Sequence, residues 1–390
     1  LSPFTVPFTN AVKVSVEASA GDLRNTRSMT IPVRPWGIEY ASEAAGVTSV
    51  AADANLELPD GQRYSARRLV LTVSPSIEQA LIDLALGRPT PLSSVHGRGV
   101  TSMVEPRPQS PASALLAAAS ALQYARDRRA GDHEISRLGA RVQELASSIV
   151  VSQQDDGNWA FNGIRDDSNL VATTTAYWGL ALAEEAGIDV HPETLARAEA
   201  ALLAHYPSLE AGDSEGKAVL LHALSVKGNA NFSNANRLYR DRASLSETAL
   251  AYLTATFVRM RRDGFARELL AILSRKAKTR DAGGQPQRYW SGGKSRSLVR
   301  GADETTALVL WSYARLDPGA PGAARAAEYL LTEAGRPNST RSLGAIITAL
   351  TAYYRDGQGG GDDFDIALIV NGETVETLAS DELSRTRSSV

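Results

Sequence analysis

Cysteine is absent from all 390 residues. That single gap excludes disulfides, thiolate nucleophiles and cysteine-ligated zinc. It leaves the compartment open, because cytoplasm and periplasm both accept a chain without thiols. An excess of charge of either sign is also missing: 41 Lys and Arg stand against 44 Asp and Glu, a formal net charge of −3. No basic field concentrates nucleic acid or anionic lipid, so neither is an expected partner. No run approaches the roughly 20 apolar residues that a membrane-spanning helix needs. The chain starts at Leu1 with no initiator Met and no signal-type apolar segment, and it ends in the polar stretch Ser384 to Ser389. It therefore reads as an excised piece whose targeting information lies elsewhere.

What is present changes character along the chain. Between Val12 and Val73 apolar residues alternate: Val12, Val14 and Val16, then Met29, Ile31 and Val33, then Leu69, Leu71 and Val73. Period two predicts half-buried strands. Pro59, Asp60 and Gly61 mark a turn between strand candidates at Asn55 to Leu58 and Tyr64 to Val73. Residues 1–75 are thus expected to form a β-rich, sandwich-like platform. After Pro75 the period becomes about 3.6 for nearly 280 residues, with Gly, Pro, Asn and Asp gathered at the joints. The run Gly359 to Gly361 closes that region. Phe364 to Val370, Asn371-Gly372 and Glu373 to Leu378 then predict a hairpin with a type I′ turn. Residues 362–390 are expected to return to the N-terminal β-region.

Within 76–358, apolar helices are expected near 112–125, 173–186, 215–227, 246–260, 304–316 and 341–355. More charged helices are expected near 77–86, 135–152, 193–206, 231–241, 264–277 and 321–334. Six helices buried on most sides, alternating with six that keep one solvated face, suit two concentric layers. The predicted fold is mainly α with a β part: an α/α toroid of six inner and six outer helices set into β-structure.

Several short stretches carry a resemblance: Leu71 to Ile77 (LTVSPSI), Asp155 to Trp159 (DDGNW), Arg288 to Trp290 (RYW), Glu304 to Leu310 (ETTALVL), Ser339 to Leu350 (STRSLGAIITAL) and Val370 to Glu373 (VNGE). In order and spacing the chain resembles the alpha-2-macroglobulin and complement thioester-protein family, from the linker β-domain through the thioester domain. The resemblance implies an internal thioester, made from a Cys-x-Glu-Gln motif at the start of the first inner helix. The matching stretch is Glu105 to Leu116, with the motif position at Arg107, Pro108, Gln109 and Ser110. Without sulfur no strained acyl bond forms there, so covalent capture is excluded. What the resemblance then implies is a periplasmic or extracellular fragment that binds protein non-covalently, in the manner of an endopeptidase trap. It implies no enzyme activity and no cofactor.

Other chemistries compete with that reading. Gln153 to Trp159 fits the Q-x-x-x-G-x-W pattern of terpene cyclases, yet it also fits a plain joint turning on Gly157 with Trp159 buried. A carbohydrate-active toroid enzyme is the main alternative; it needs two opposed carboxylates, and Asp303 with Glu304 are the candidates. Capping of a helix N-terminus explains the same pair. His96, His133, His191, His205 and His222 show no H-x-x-x-H spacing, so packing or surface roles are expected. Trp178, Trp290 and Trp311 line a sugar site or fill the core. The arginines at 259, 261, 262, 267 and 275, with Lys276 and Lys278, suggest a basic outer surface.

Overall fold

The structure is a computed structural model that describes residues 11–21, 23–32, 53, 55, 60–61, 69, 71–73, 77–87, 111–160, 169–282, 285–293, 301–334, 342–355, 365–379 and 387–389. Among these, twelve helices and eight strands occur. The protein is mainly helical, with small antiparallel sheets.

Helices α2 (Pro111–Asp127), α4 (Leu170–Glu185), α6 (Ser214–Val226), α8 (Glu247–Arg259), α10 (Ala302–Leu316) and α12 (Leu343–Tyr354) are the six apolar ones. Those between them are α1 (Ile77–Ala85), α3 (Asp132–Val151), α5 (Pro192–Ser208), α7 (Phe232–Arg240), α9 (Asp263–Lys276) and α11 (Pro321–Ala334). The difference is one of burial. Thirteen of the 17 residues of α2 are buried, against five of the 20 in α3. A helix enclosed all round needs small residues where its neighbours press, and α2 supplies them as ASALLAAASALQYA. Two glycines bring those neighbours close. A Cβ on Gly344 of α12 would sit 2.6 Å from the Ser113 carbonyl oxygen, and one on Gly179 of α4 would sit 3.2 Å from that of Ala112.

Contacts between the even-numbered helices run α2–α4–α6–α8–α10–α12 and return from α12 to α2, so the circuit is closed. Each odd-numbered helix packs on the even one that follows it. Side-chain caps start several even-numbered helices: Asn169 accepts from Val171 N at 2.8 Å, Asp213 from Gly216 N at 2.9 Å and Ser246 from Ala249 N at 3.2 Å.

The strands form four two-stranded antiparallel ladders among the described residues. Strands β1 (Ala11–Ala20) and β2 (Leu23–Pro32) pair from Ala11↔Pro32 to Ala20↔Leu23. Strand β3 (Leu71–Val73) pairs with β8 (Arg387–Ser389), joining segments from either side of the helical region. Strands β6 (Asp365–Val370) and β7 (Glu373–Ala379) make the expected hairpin. Its turn has φ +52° at Asn371 and +85° at Gly372, the left-handed pair that type I′ requires. Two sequence expectations need correcting. Met29 is 62% exposed rather than half-buried. A hairpin that the sequence reading missed, β4 (Lys278–Ala282) with β5 (Gln285–Tyr289), separates α9 from α10 and packs on α11.

Candidate functional site

Each even-numbered helix from α2 to α10 is followed by an odd-numbered one that carries the chain back, so the six helices of the circuit run in the same direction. Contacts between like ends agree with this. At the N-terminal ends Thr248 and Thr305 share a hydrogen bond of 2.9 Å, and Gly344 N donates to Ser113 Oγ at 3.0 Å. At the C-terminal ends Arg355 of the α12 terminus pairs with Asp127 of α2.

The site singled out by the sequence is the head of α2. Arg107, Pro108, Gln109 and Ser110 lie outside the described residues; the described chain resumes at Pro111. At the same end of the circuit, but on helices that are not the neighbours of α2, four carboxylates stand in the first turns of α6, α8 and α10. Glu304 accepts from the Tyr252 hydroxyl across α8 and α10. Asp303 accepts from Tyr329 OH at 3.1 Å and from Ser342 Oγ at 3.4 Å. Glu247 accepts from Ser291 N at 2.5 Å. Glu215 is buried, so close to Gly293 that a Cβ there would lie 2.8 Å from its Oε2. Acids at helix N-termini complement the dipole, and three of these four also tie one segment to another. Burial, then the Asp303 charge, pushes the Tyr329 phenol well above its ordinary range, which keeps it protonated as the donor. Asp303 and Glu304 thus lie in the first turn of α10 and cross-link it to neighbouring segments, with no side-chain hydrogen bond capping the helix.

Inside the circuit, His222 is 2% exposed. It meets Trp178 edge-on at 4.7 Å and Tyr252 at 5.2 Å between ring centroids. His222 is therefore a packing residue, and Trp178 is core. Trp290 is fully buried, its Nε1 donating to Leu273 O at 2.7 Å. Among the described residues no cluster of three His, Asp or Glu side chains could hold a metal ion.

The C-terminal ends are stitched by cations instead. Arg126 donates to the Ala186 carbonyl, Lys227 pairs with Glu184, and Arg355 with Asp127. The expected basic patch is not one surface. Arg259 turns inward, its Cζ 5.0 Å from the Trp311 ring centroid, while Arg262 stacks on Phe232 at 5.1 Å. Sequence alone gave no sign that Arg259, the last residue of α8, faces α10; its neighbours at 261 and 262 made it look solvated.

No family profile matches the chain, and no curated protein is similar to it. Solved structures do match. A Salmonella alpha-2-macroglobulin reacted with methylamine covers 96% of this chain and 25% of its own at 15% identity, with a TM-score of 0.57. The native Escherichia coli alpha-2-macroglobulin, in a form spanning domain MG7 to the C-terminus, covers 97% of this chain and 60% of its own at 17% identity and TM-score 0.53. This is a fold that bacterial alpha-2-macroglobulins contain. The E. coli protein in its native conformation agrees, with 98% of this chain, 23% of its own, 17% identity and TM-score 0.53. The chain spans about a quarter of these full-length proteins. Among the described residues no helix is long and apolar enough to cross a membrane.

Proposed function

We propose that this chain is the helical region, with flanking β-structure, of a bacterial alpha-2-macroglobulin-like protein, and that it binds an endopeptidase non-covalently and is not itself an enzyme. In this reading residues 1–75 are a β-platform, 76–358 an α/α toroid of six inner and six outer helices, and 362–390 a returning β-segment that packs with the platform. The working compartment is periplasmic or extracellular.

One observation carries the proposal. Support comes from the closed circuit of six apolar helices, of which α2 is the first; in this reading the head of α2 is the thioester position of the family, yet the chain has no cysteine with which to build one. The Salmonella neighbour was reacted with methylamine; here a sulfur-borne acyl group has no atom to sit on. Binding must then come from surface complementarity alone.

The test combines mass and association. Methylamine treatment is expected to leave the mass unchanged. Incubation with a panel of endopeptidases is expected to give complexes that survive native electrophoresis and dissociate in detergent, with cleavage of large substrates reduced more than cleavage of small ones. A methylamine adduct or a detergent-stable conjugate would overturn the non-covalent reading. Failure of every endopeptidase to associate would overturn the choice of partner.

A further inference from the structure

Helices α2, α4, α6 and α8 end in the same turn, closed by two backbone hydrogen bonds. At α2 these run from Arg129 N to Arg126 O and from Ala130 N to Ala125 O, and at α4 from Gly187 N to Glu184 O and from Ile188 N to Ala183 O. At α6 they run from Gly228 N to Ser225 O and from Asn229 N to Leu224 O, and at α8 from Arg261 N to Val258 O and from Arg262 N to Phe257 O. The first donor of each pair is left-handed, a conformation that glycine takes without steric cost. Gly187 and Gly228 do so at φ +72° and +79°, whereas Arg129 and Arg261 hold the slot at +55°, where a side chain is disfavoured. The second donor often carries an apolar contact back to its own helix. Ala130 and Ile188 are half-buried there. Arg262 is exposed, and it alone of the four second donors is charged. At α8, two consecutive positions therefore depart from what the turn favours. The helix dipole does not account for them, because Arg259 already supplies a cation in the last turn of α8.

A second departure stands at the same spot. Phe232, the first residue of α7, is a large apolar side chain left 38% exposed. Its ring centroid lies 5.1 Å from Arg262 Cζ, and Phe257 and Phe265 meet the ring edge-on at 6.4 and 5.9 Å. Ring and guanidinium are thus held together, and both reach solvent. Among the described residues no carboxylate pairs with Arg261 or Arg262. Asp263, next in sequence, is exposed and bonds neither. An open aromatic face beside a planar fork offers an apolar contact and a carboxylate contact in one footprint. Aromatic rings and arginines are also the groups that anchor protein interfaces.

We propose that Phe232, Arg261 and Arg262 form a docking site for an acidic segment of a protein partner, in which a carboxylate neighbours an apolar side chain. The apolar group covers the Phe232 ring, the carboxylate bonds Arg262, and Arg261 adds positive charge at the rim. The site lies at the C-terminal end of α8, remote from the head of α2, so it stands or falls separately from the trap reading.

The probe is a fluorescein-labelled hexapeptide of alternating glutamate and leucine, titrated at low salt and read by fluorescence anisotropy. One control peptide replaces each glutamate with glutamine, and the other replaces each leucine with serine. Binding is expected for the probe, weaker by about tenfold or more for each control. Arg262→Gln, an exposed change, is expected to weaken probe binding about tenfold. Arg261→Gly is expected to weaken it about threefold while leaving the melting temperature unchanged or raised, because glycine relieves the left-handed strain. Arg129→Gly relieves the same strain at the α2 turn and is expected to keep wild-type affinity. Wild-type affinity in both Arg262→Gln and Arg261→Gly, equal weakening by Arg129→Gly, or equal binding of either control peptide would sink the proposal. Preference for anionic lipid vesicles over the probe would make this a membrane-facing patch and overturn the choice of partner.

Discussion

The joint that leads from α3 into α4 and the joint that leads from α9 into α10 are built alike from different sequences. In the first, Trp159 N donates to Thr173 Oγ1 at 3.1 Å and Trp159 Nε1 to Ile149 O at 2.8 Å. In the second, Trp290 N donates to Thr306 Oγ1 at 3.1 Å and Trp290 Nε1 to Leu273 O at 2.7 Å. Each tryptophan thereby ties the last turns of an odd-numbered helix to the first turns of the even-numbered one that follows. A glutamine then reaches the following odd-numbered helix: Gln153 Nε2 bonds Thr194 O of α5 at 2.9 Å, and Gln287 Nε2 bonds Thr332 Oγ1 of α11 at 2.7 Å. In the circuit, α4 and α10 have two even-numbered helices between them in either direction. The same lock therefore recurs half-way along the circuit of contacts.

The routes into the two locks differ. The first turns on Gly157, whose φ is +84°; a Cβ there would stand 2.4 Å from the Arg197 carbonyl oxygen. The second arrives through the β4–β5 hairpin, with Tyr289 stacked on Tyr329 at 5.1 Å and Arg280 paired with Glu333 at 2.6 Å. One lock depends on a backbone that only glycine fills without strain, the other on side chains packed against α11. Gly157→Ala should therefore be the most damaging single change, because it adds left-handed strain to a collision with rigid backbone. A loss of about 3 kcal/mol or more is expected from denaturant unfolding. A loss below about 1 kcal/mol would show that the first lock is not held by close approach.

Next in size is a paired change that tests the likeness itself. Trp159→Phe and Trp290→Phe each keep an aromatic ring but remove the indole donor, leaving a buried carbonyl of the preceding helix without it. Each should cost about 2 kcal/mol, including lost volume. Similar losses in the two variants would confirm that both tryptophans do one job. A loss confined to Trp290→Phe would mean that the Gly157 turn alone carries the first joint.

These joints also show what the sequence could and could not reveal. The apolar helices and the more charged ones between them were legible because burial imposes composition: a helix such as α2, most of whose residues are buried, cannot hide its run of Ala and Leu. The first joint was legible as well, since Gln153, Gly157 and Trp159 mark a turn with a buried indole. The second was not. Lys278 to Tyr289 reads KTRDAGGQPQRY, poor in the β-branched residues that favour strands, and its two strands exist through packing on α11. At the candidate site, the missing sulfur and the acids in the first turn of α10 could be read directly. The inward turn of Arg259 could not, because a terminal helical arginine carries no local sign of what it stacks on.

The smallest effect separates the joints by acidity. Asp156, two residues before the first joint's Asn158, accepts from Asn158 N at 3.0 Å and from Asn158 Nδ2 at 2.9 Å. These bonds hold its carboxyl below the ordinary range. Asn158 Oδ1 in turn accepts from Thr173 Oγ1 at 3.4 Å and lies 3.1 Å from His205 Nε2. Since Asn158 Nδ2 faces the carboxylate, Oδ1 is the acceptor and His205 Nε2 must donate, which it does whether the ring is neutral or charged. The sensitive group is therefore Asp156. A carboxyl whose folded pKa is depressed adds stability above its unfolded value of about 3.9, and that stability is lost as pH falls through the folded value. Exposure screens the contribution and keeps it small. Hydrogen exchange of the two indole N–H groups below about pH 4 should show Trp159 losing protection before Trp290. Asp156→Asn should remove the difference in pH dependence. Equal acid sensitivity of the two indoles, or earlier loss at Trp290, would mean that Asp156 does not brace the first lock.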